Sequence, residues 1–475
     1  MNYKQLAIVL LFSTAFQCWA AVAENSKPNV LFIMVDDLRV ELGAYGAEHV
    51  QSPHIDKLAS QGTRFANAYV SVPVCGASRA SLFTGMRATP ERFRNYYTWV
   101  EKDAPDATTI FEQFKNNGYN TIGYGKLFHQ SQDTAKKSWT DGYVWNASDD
   151  QNPGEKSSWR DYQRPENIAE YQKTNKGPST EMIDGPDDIY YDGKVANKTI
   201  DTLDRLASSD QPFLLAVGFV KPHLPFNAPK KYWDLYDAAQ FKIPGGDLPI
   251  DAPKRAYHHF GELRAYSDTP PQPEPVGEAQ ARRLIHGYHA SVSYTDAQVG
   301  KVLAKLDALG LRDNTIVILM GDHGYVLGEH GLWCKHSTFD LATKTPLLIS
   351  APGKPANQVV EGLVEFIDIF PTLTDLADIA TPEQAAGTSL VTLLDDANLP
   401  ARSAVFPRYH AADAIHTDQY TLTQWFSADN RVLAEMLYDN KNDPDETRNL
   451  ANDKAYEAVL EDLSRQLAKH RKTRR

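Results

Sequence analysis

The chain has 475 residues, 42% of them apolar and 23% charged, enough for a large core and a smaller second unit. Gly and Pro, 28 each, exclude a collagen-like or low-complexity protein, and three cysteines exclude a disulfide scaffold. Lys+Arg 49 against Asp+Glu 61 leave a net charge of −12, which argues against a nucleic-acid partner, because phosphate contacts need clustered cations.

Residues 1–23 place one lysine ahead of an apolar run from Leu6 to Phe16, then small residues ending Ala21-Val22-Ala23. This is the pattern of a secretory signal peptide cleaved after Ala23. The run is shorter than the roughly 20 residues of a membrane span, so no integral span is expected in the mature chain. Gln17 stands where a lipoprotein signal carries a small residue, against lipidation at Cys18. Loss of Lys4 takes the net charge from −12 to −13. An exported protein, periplasmic or secreted, that keeps only Cys75 and Cys334 does not rely on disulfides.

Residues 29–35 form a nearly continuous apolar run ending in Asp36-Asp37, the look of a strand buried on both faces of a mainly parallel sheet. Helices are predicted over 53–61, over 78–86 just after Cys75, and over 108–117, with strands over 64–71 and 119–124. From 130 to 186 the chain is polar and carries Trp139, Trp145, Trp159, Pro153 and Pro165, which reads as a long, ordered insertion. A helix over 188–208 leads to a strand over 212–219, and 222–275 reads as irregular. Leu284, Tyr288, Val292, Val299, Leu303 and Leu306 fall at helical spacing within a predicted helix over 278–309. Residues 314–320 repeat the pattern of the first strand and end in Gly321-Asp322-His323. Strands over 345–350 and 363–366 and a helix over 369–376 follow. After about Pro400, short alternating runs over 403–408, 420–426 and 431–438 predict a small antiparallel sheet, and a charged helix over 454–469 closes the chain. The expected fold class is α/β: a large, mainly parallel sheet flanked by helices, plus a small C-terminal antiparallel-sheet subdomain. The expected units are a signal peptide 1–23, a catalytic domain 24–400 and a C-terminal subdomain 401–475.

Two buried strands therefore deliver Asp36-Asp37 and Asp322-His323 at their carboxyl ends, where an open parallel sheet keeps its ligand crevice. Paired carboxylates there suit a hard divalent cation, although an isolated Asp-Asp is more often a turn or a helix cap. Cys75 opens a helix, which favours an anionic ligand, and Arg79 four residues on adds a permanent cation to the same surface. A free cysteine is otherwise most often a small buried hydrophobe. Lys126 and His129, Lys221 and His223, and Lys335 each follow a predicted strand or lie in a loop beside one. Cations set around an acidic site in an acidic protein suit an anionic substrate.

Cys75-Gly76-Ala77-Ser78-Arg79 resembles the signature of the sulfatases, whose cysteine is oxidised after translation to formylglycine. NVLFIMVDDLR, SPHIDKLASQGTRFANAY, GYGKLFH, KPHLPF, GDHGYVLGEHGLWCKHS and LYDNKNDPDETRNLA extend the resemblance over nearly the whole mature chain. GKLFH, KPHLPF, LAVGFVKPH and SVSYTDAQVG lie nearest the iduronate-2-sulfatase branch of that family. The resemblance implies an alkaline-phosphatase-like sandwich and a calcium ion held by Asp36, Asp37, Asp322, His323 and modified Cys75. It implies that Arg79 stabilises the formylglycine hydrate, that Lys126 and Lys335 hold sulfate oxygens, that His129 acts on the hydrate hydroxyl, and that His223 contacts the leaving oxygen. Tyr325 is expected to line the substrate pocket. The implied partners are a sulfated sugar as substrate and a formylglycine-generating maturation enzyme. The sequence departs from many members in carrying Ala77 where they carry proline. Two rivals are a phosphatase or phosphodiesterase on the same fold, using a hydroxyl nucleophile and two zinc ions, and a non-catalytic sulfated-glycan binding protein.

Overall fold

The computed structural model describes residues 27–140, 144–145 and 160–473. The predicted signal peptide with Cys18 lies outside the described residues, as do Pro153 and Trp159 of the insertion.

Among the described residues the central sheet has eight strands: β1 (Asn29–Val35), β2 (Thr63–Tyr69), β3 (Asn120–Gly125), β4 (Val144–Trp145), β5 (Phe213–Phe219), β6 (Thr315–Gly321), β7 (Leu347–Ser350) and β8 (Gln358–Glu365). Their spatial order is β8-β2-β7-β6-β1-β5-β3-β4. Only β7 runs antiparallel to its neighbours in this sheet, so the expectation of a mainly parallel sheet holds. β1 explains why its sequence is an unbroken apolar run. Val30, Phe32 and Met34 enter the core on one face, and Leu31, Ile33 and Val35 enter the core on the other. A strand covered on both sides has no solvent face on which to place a polar residue.

Helices Cys75–Thr84, Ile110–Asn116 and Ile369–Leu376 cover the first face. Helices Pro53–Ser60, Tyr191–Leu206 and Glu278–Ala308 cover the second. The helix expected to start after Cys75 instead begins at Cys75 itself, capped by extended Val74. The predicted irregular stretch 222–275 holds one short strand, Phe226–Pro229, paired with Thr180–Ile183, and several single turns of helix.

The C-terminal antiparallel sheet is β9 (Arg408–Tyr409), β10 (Ala412–His416), β11 (Tyr420–Phe426) and β12 (Val432–Asp439). The strand predicted over 403–408 is not regular. Val405 makes one isolated bridge to His416, and Pro407 offers no N–H for a ladder there. β10, for which the sequence carries no clear alternation, takes its place as the neighbour of β11. Helix Glu457–Thr473 buries Leu463 and Leu467 against Ile415, Leu422 and Leu437 of this sheet.

Candidate active site

Parallel strands bring four chain segments to one edge. β1 pairs with β6 so that Val35 faces Gly321, and Asp322 N–H then donates to Val35 O (3.1 Å). On the other side of β1, Asp36 N–H donates to Phe219 O at the end of β5 (3.0 Å). β3 ends at Gly125, where φ is +74° and a Cβ would collide with Gly218 O, so only glycine fits. That turn hands Lys126 to the end of β1.

The thiol of Cys75 sits among these ends. Its Sγ is 3.2 Å from His323 Nε2, 3.9 Å from Asp37 Oδ1 and 3.9 Å from Lys126 Nζ. Donor atoms of Asp36, Asp37, Cys75 and His323 all lie within 4.8 Å of one another, and all four residues are buried. Asp322, expected in the same ligand set, lies beside this group, its Oδ1 3.6 Å from His323 Nε2. Its carboxylate accepts from Arg79 Nε (2.9 Å) and from the Asp37 N–H (3.0 Å).

Arg79 is fully buried and bonds four acceptors: Asp322 Oδ2, Asp36 Oδ1 (3.0 Å), and the carbonyls of Lys126 and Leu127. Lys126 Nζ donates to Asp36 Oδ2. Burial would raise the Asp36 carboxyl, but Lys126, Arg79 and His223 outweigh it and hold it well below the usual carboxylate range. Burial and then Asp36 push the Cys75 thiol well above its ordinary value. An unmodified Cys75 is therefore a neutral thiol and a poor nucleophile.

Lys335 donates to both oxygens of Asp37 (2.9 and 3.0 Å) and to Glu262 Oε1 (2.7 Å). His223 Nε2 meets the same Glu262 oxygen at 3.1 Å. Glu262 comes from the irregular stretch and is invisible to sequence reading, since a lone acid in a loop carries no spacing. Burial would raise its carboxyl, but Lys335 and His223 hold it well below the usual range. Asp37, His223 and Glu262 form a second cluster of donors that shares Asp37 with the first. Lys335 bridges two of its three members, Asp37 and Glu262. Glu262→Gln removes the charge at nearly constant size. Losing charge-assisted bonds worth about 1.5–3 kcal/mol should lower kcat/KM roughly ten- to a hundredfold without altering the circular dichroism spectrum. An unchanged kcat/KM would contradict this role.

Lys221 does not face the site. Its Nζ bonds the carbonyls of His223 (3.0 Å) and Pro225 (2.6 Å), pinning the loop that carries His223. Tyr325 is 1% exposed and stacked on Tyr288 at 5.4 Å, beneath Lys335, whose Nζ lies 5.9 Å from its ring centre. It lies under Lys335 rather than on an open pocket wall. Cys334 is buried and outside any disulfide.

His129, His336 and His258 flank these groups. Burial first, then Lys126, lowers His129 to about 3. Burial lowers His336 to about 3 and, with His259, His258 to about 4. All three are neutral near neutral pH, and His129 Nδ1 has no hydrogen-bond partner among the described residues. As pH falls below about 6.5, the unfolded chain takes up protons that the folded chain refuses until its own lower values are reached. Stability should therefore decline between about pH 6.5 and pH 4. Urea midpoints at about pH 7.5 and pH 5 should differ less in a His258→Gln/His336→Gln variant than in the wild type. Equal declines would contradict the assignment.

A carboxylate–imidazole–thiol cluster ringed by Arg79, Lys126 and Lys335 lies at the carboxyl edge of the parallel sheet, an arrangement suited to an anionic ester. Residues 28–379 match the sulfatase family, and 328–473 match the C-terminal region of N-sulphoglucosamine sulphohydrolases. The chain belongs to the sulfatase family and is a sulfuric ester hydrolase. It is 35% identical over 399 residues to iduronate 2-sulfatase of Homo sapiens, covering 74% of this chain and 70% of that one. In fold it resembles a phosphonate monoester hydrolase of Silicibacter pomeroyi, with a TM-score of 0.76 and 23% identity over 94% of this chain and 96% of that one. It also resembles a 2-O GAG sulfatase, with a TM-score of 0.68 and 24% identity over 94% and 92% of the two chains. Among the described residues no helix is long and apolar enough to cross a membrane.

Proposed function

We propose that this sulfatase hydrolyses sulfate monoesters of carbohydrates, foremost a 2-sulfated uronic acid at a chain end, with Cys75 oxidised to formylglycine and a calcium ion beside it. The observation that carries the reading is the convergence of Asp36, Asp37, Cys75 and His323 within 4.8 Å, with Arg79, Lys126 and Lys335 around them. The likeness to iduronate 2-sulfatase supports the uronic acid. The two carboxylates fit a hard cation, whereas a thiol does not. Oxidising Cys75 would place oxygen there and make the donor set suit calcium. Asp36, Asp37, Asp322, His323 and the modified residue 75 would hold the ion, with Arg79 orienting the Asp322 carboxylate through its other oxygen. Bound calcium supplies positive charge to the sulfate oxygens, and the aldehyde hydrate supplies a hydroxyl nucleophile with a second hydroxyl on the same carbon.

The chain's own residues do the rest. Lys126 and Lys335 bring their ammonium groups to the sulfate oxygens and neutralise the charge that develops as the S–O bond breaks. His223, oriented by Glu262, delivers a proton to the departing sugar oxygen. His129, kept neutral by burial, accepts a proton at residue 75. Arg79 keeps Asp36 and Asp322 ionised and aligned. Export through the N-terminal leader and maturation by a formylglycine-generating enzyme complete the reading, with the active site carried by 24–400 and a C-terminal subdomain by 401–475.

Sulfate release from a panel of defined sulfated saccharides, by protein made with a maturation enzyme, tests it. Release should be abolished by a chelator and restored by calcium in preference to zinc. Turnover of phosphate esters alone, restored by two zinc ions per chain, would favour the phosphatase rival. Binding without any release, despite confirmed formylglycine, would favour the non-catalytic one.

A further inference from the structure

The segment 88–99 packs against the residue that follows Cys75. A Cβ on Gly76, the residue after Cys75, would lie 2.7 Å from Tyr96 O, and the Tyr96 ring is 6.0 Å from the His129 ring. Tyr96 and Tyr97 lie tilted against each other with ring centres 4.0 Å apart, joined by a hydrogen bond from Tyr96 to the Tyr97 hydroxyl (2.6 Å). They are nonetheless 44% and 68% exposed. Tyrosines left in water next to a buried polar site are unusual enough to need an explanation, because packing them would remove much apolar area from water.

The C-terminal sheet packs beside this segment. Arg408 donates to Thr89 O (2.9 Å), which fixes β9 against the same segment. The next residue, Tyr409, is within electrostatic reach of Lys335, Glu262 and Tyr96, and its ring is 5.6 Å from His336. Neither the Tyr409 hydroxyl nor the Tyr97 proton has a hydrogen-bond partner among the described residues. Arg94, exposed and two residues before Tyr96, forms no ion pair among them either. An apolar plate, free hydroxyls and one unpaired cation thus share the rim of a site for an anionic ester.

We propose that Tyr96 and Tyr97, with Tyr409 opposite and Arg94 outside, form a binding subsite for the pyranose ring next to the sulfated residue of an anionic oligosaccharide. The inference rests on the carbohydrate sulfatase reading and extends it from one sugar residue to two or more. The apolar C–H face of a pyranose lies on the tyrosine ring faces, which carry negative charge density. The hydroxyls of Tyr97 and Tyr409 meet ring oxygens and hydroxyls, and Arg94 meets a carboxylate or sulfate of the next residue. The subsite therefore acts on chain length: a longer saccharide gains from it contacts that a single sulfated sugar lacks.

The test compares 2-sulfated iduronate as a monosaccharide with a heparin-derived tetrasaccharide carrying the same residue at its non-reducing end. Matured wild type, Tyr97→Ala and Tyr97→Phe are assayed for sulfate release. Tyr97→Ala should lower the ratio of kcat/KM for tetrasaccharide over monosaccharide about tenfold, through KM, the size of one good ring contact. Tyr97→Phe keeps the ring face and should restore most of that ratio. Titration of the tetrasaccharide into Cys75→Ala protein gives a readout free of turnover, and adding Tyr97→Ala should weaken Kd about tenfold. A ratio and Kd untouched by Tyr97→Ala would overturn the subsite and leave hydrolysis standing. Release from neither saccharide would overturn the uronate reading and the subsite with it.

Discussion

Cys75→Ala is expected to lower kcat/KM for sulfate esters by about 10⁴-fold or more while leaving the fold intact. The residue is 2% exposed and opens the first turn of a buried helix, so alanine removes only a sulfur from a polar pocket. Cys75→Ser is the more informative variant. Serine also supplies a hydroxyl that can attack sulfur, but the resulting serine sulfate has no second hydroxyl on the same carbon to expel the sulfate. Serine should give at most one turnover per molecule, with sulfate retained on the protein. An unmodified cysteine shares that defect, and its thiol is also kept protonated by burial and Asp36. Steady turnover by either variant would contradict the assignment of residue 75.

Arg79→Met is expected to destabilise the fold by about 3–5 kcal/mol. The guanidinium is the common partner of Asp36, Asp322 and two backbone carbonyls, and it shares full burial with both carboxylates. Methionine fills much of the volume but leaves buried carboxylates short of a counter-charge. Asp322 suffers most, because burial and Asp36 already raise it, whereas Asp36 keeps its direct bond from Lys126. A divalent ion bound to the folded state would mask part of this loss, so the unfolding midpoint is compared in the presence of a chelator. A loss below about 1 kcal/mol would contradict the role of Arg79 as the organiser of the two strand ends.

The parts of the site legible in the sequence are those positioned by regular structure. β1 and β6 are buried on both faces, so their apolar runs stop only where Asp36 and Asp322 begin, and parallel pairing puts those ends side by side. Helical spacing likewise sets Arg79 one turn after Cys75, on the side facing the carboxylates. Glu262 cannot be found this way. It lies in 222–275, whose path follows turns and tertiary contacts and leaves no period to read. Tyr325 departs from the expected pocket wall because adjacency to His323 in sequence does not tell which side of the backbone a side chain takes. Here it turns into the core against Tyr288. The same limit applies to β10, a five-residue strand that follows β9 by a two-residue connection too short to mark its start.

The most direct test is the mass of the peptide containing Cys75, from protein produced with a maturation enzyme, read beside sulfate release from the same preparation. Conversion of the thiol-bearing carbon to an aldehyde exchanges one sulfur and two hydrogens for one oxygen, so the converted peptide is lighter. The converted fraction and the specific activity are expected to rise together. Full activity in protein whose peptide carries only the unmodified thiol would contradict it.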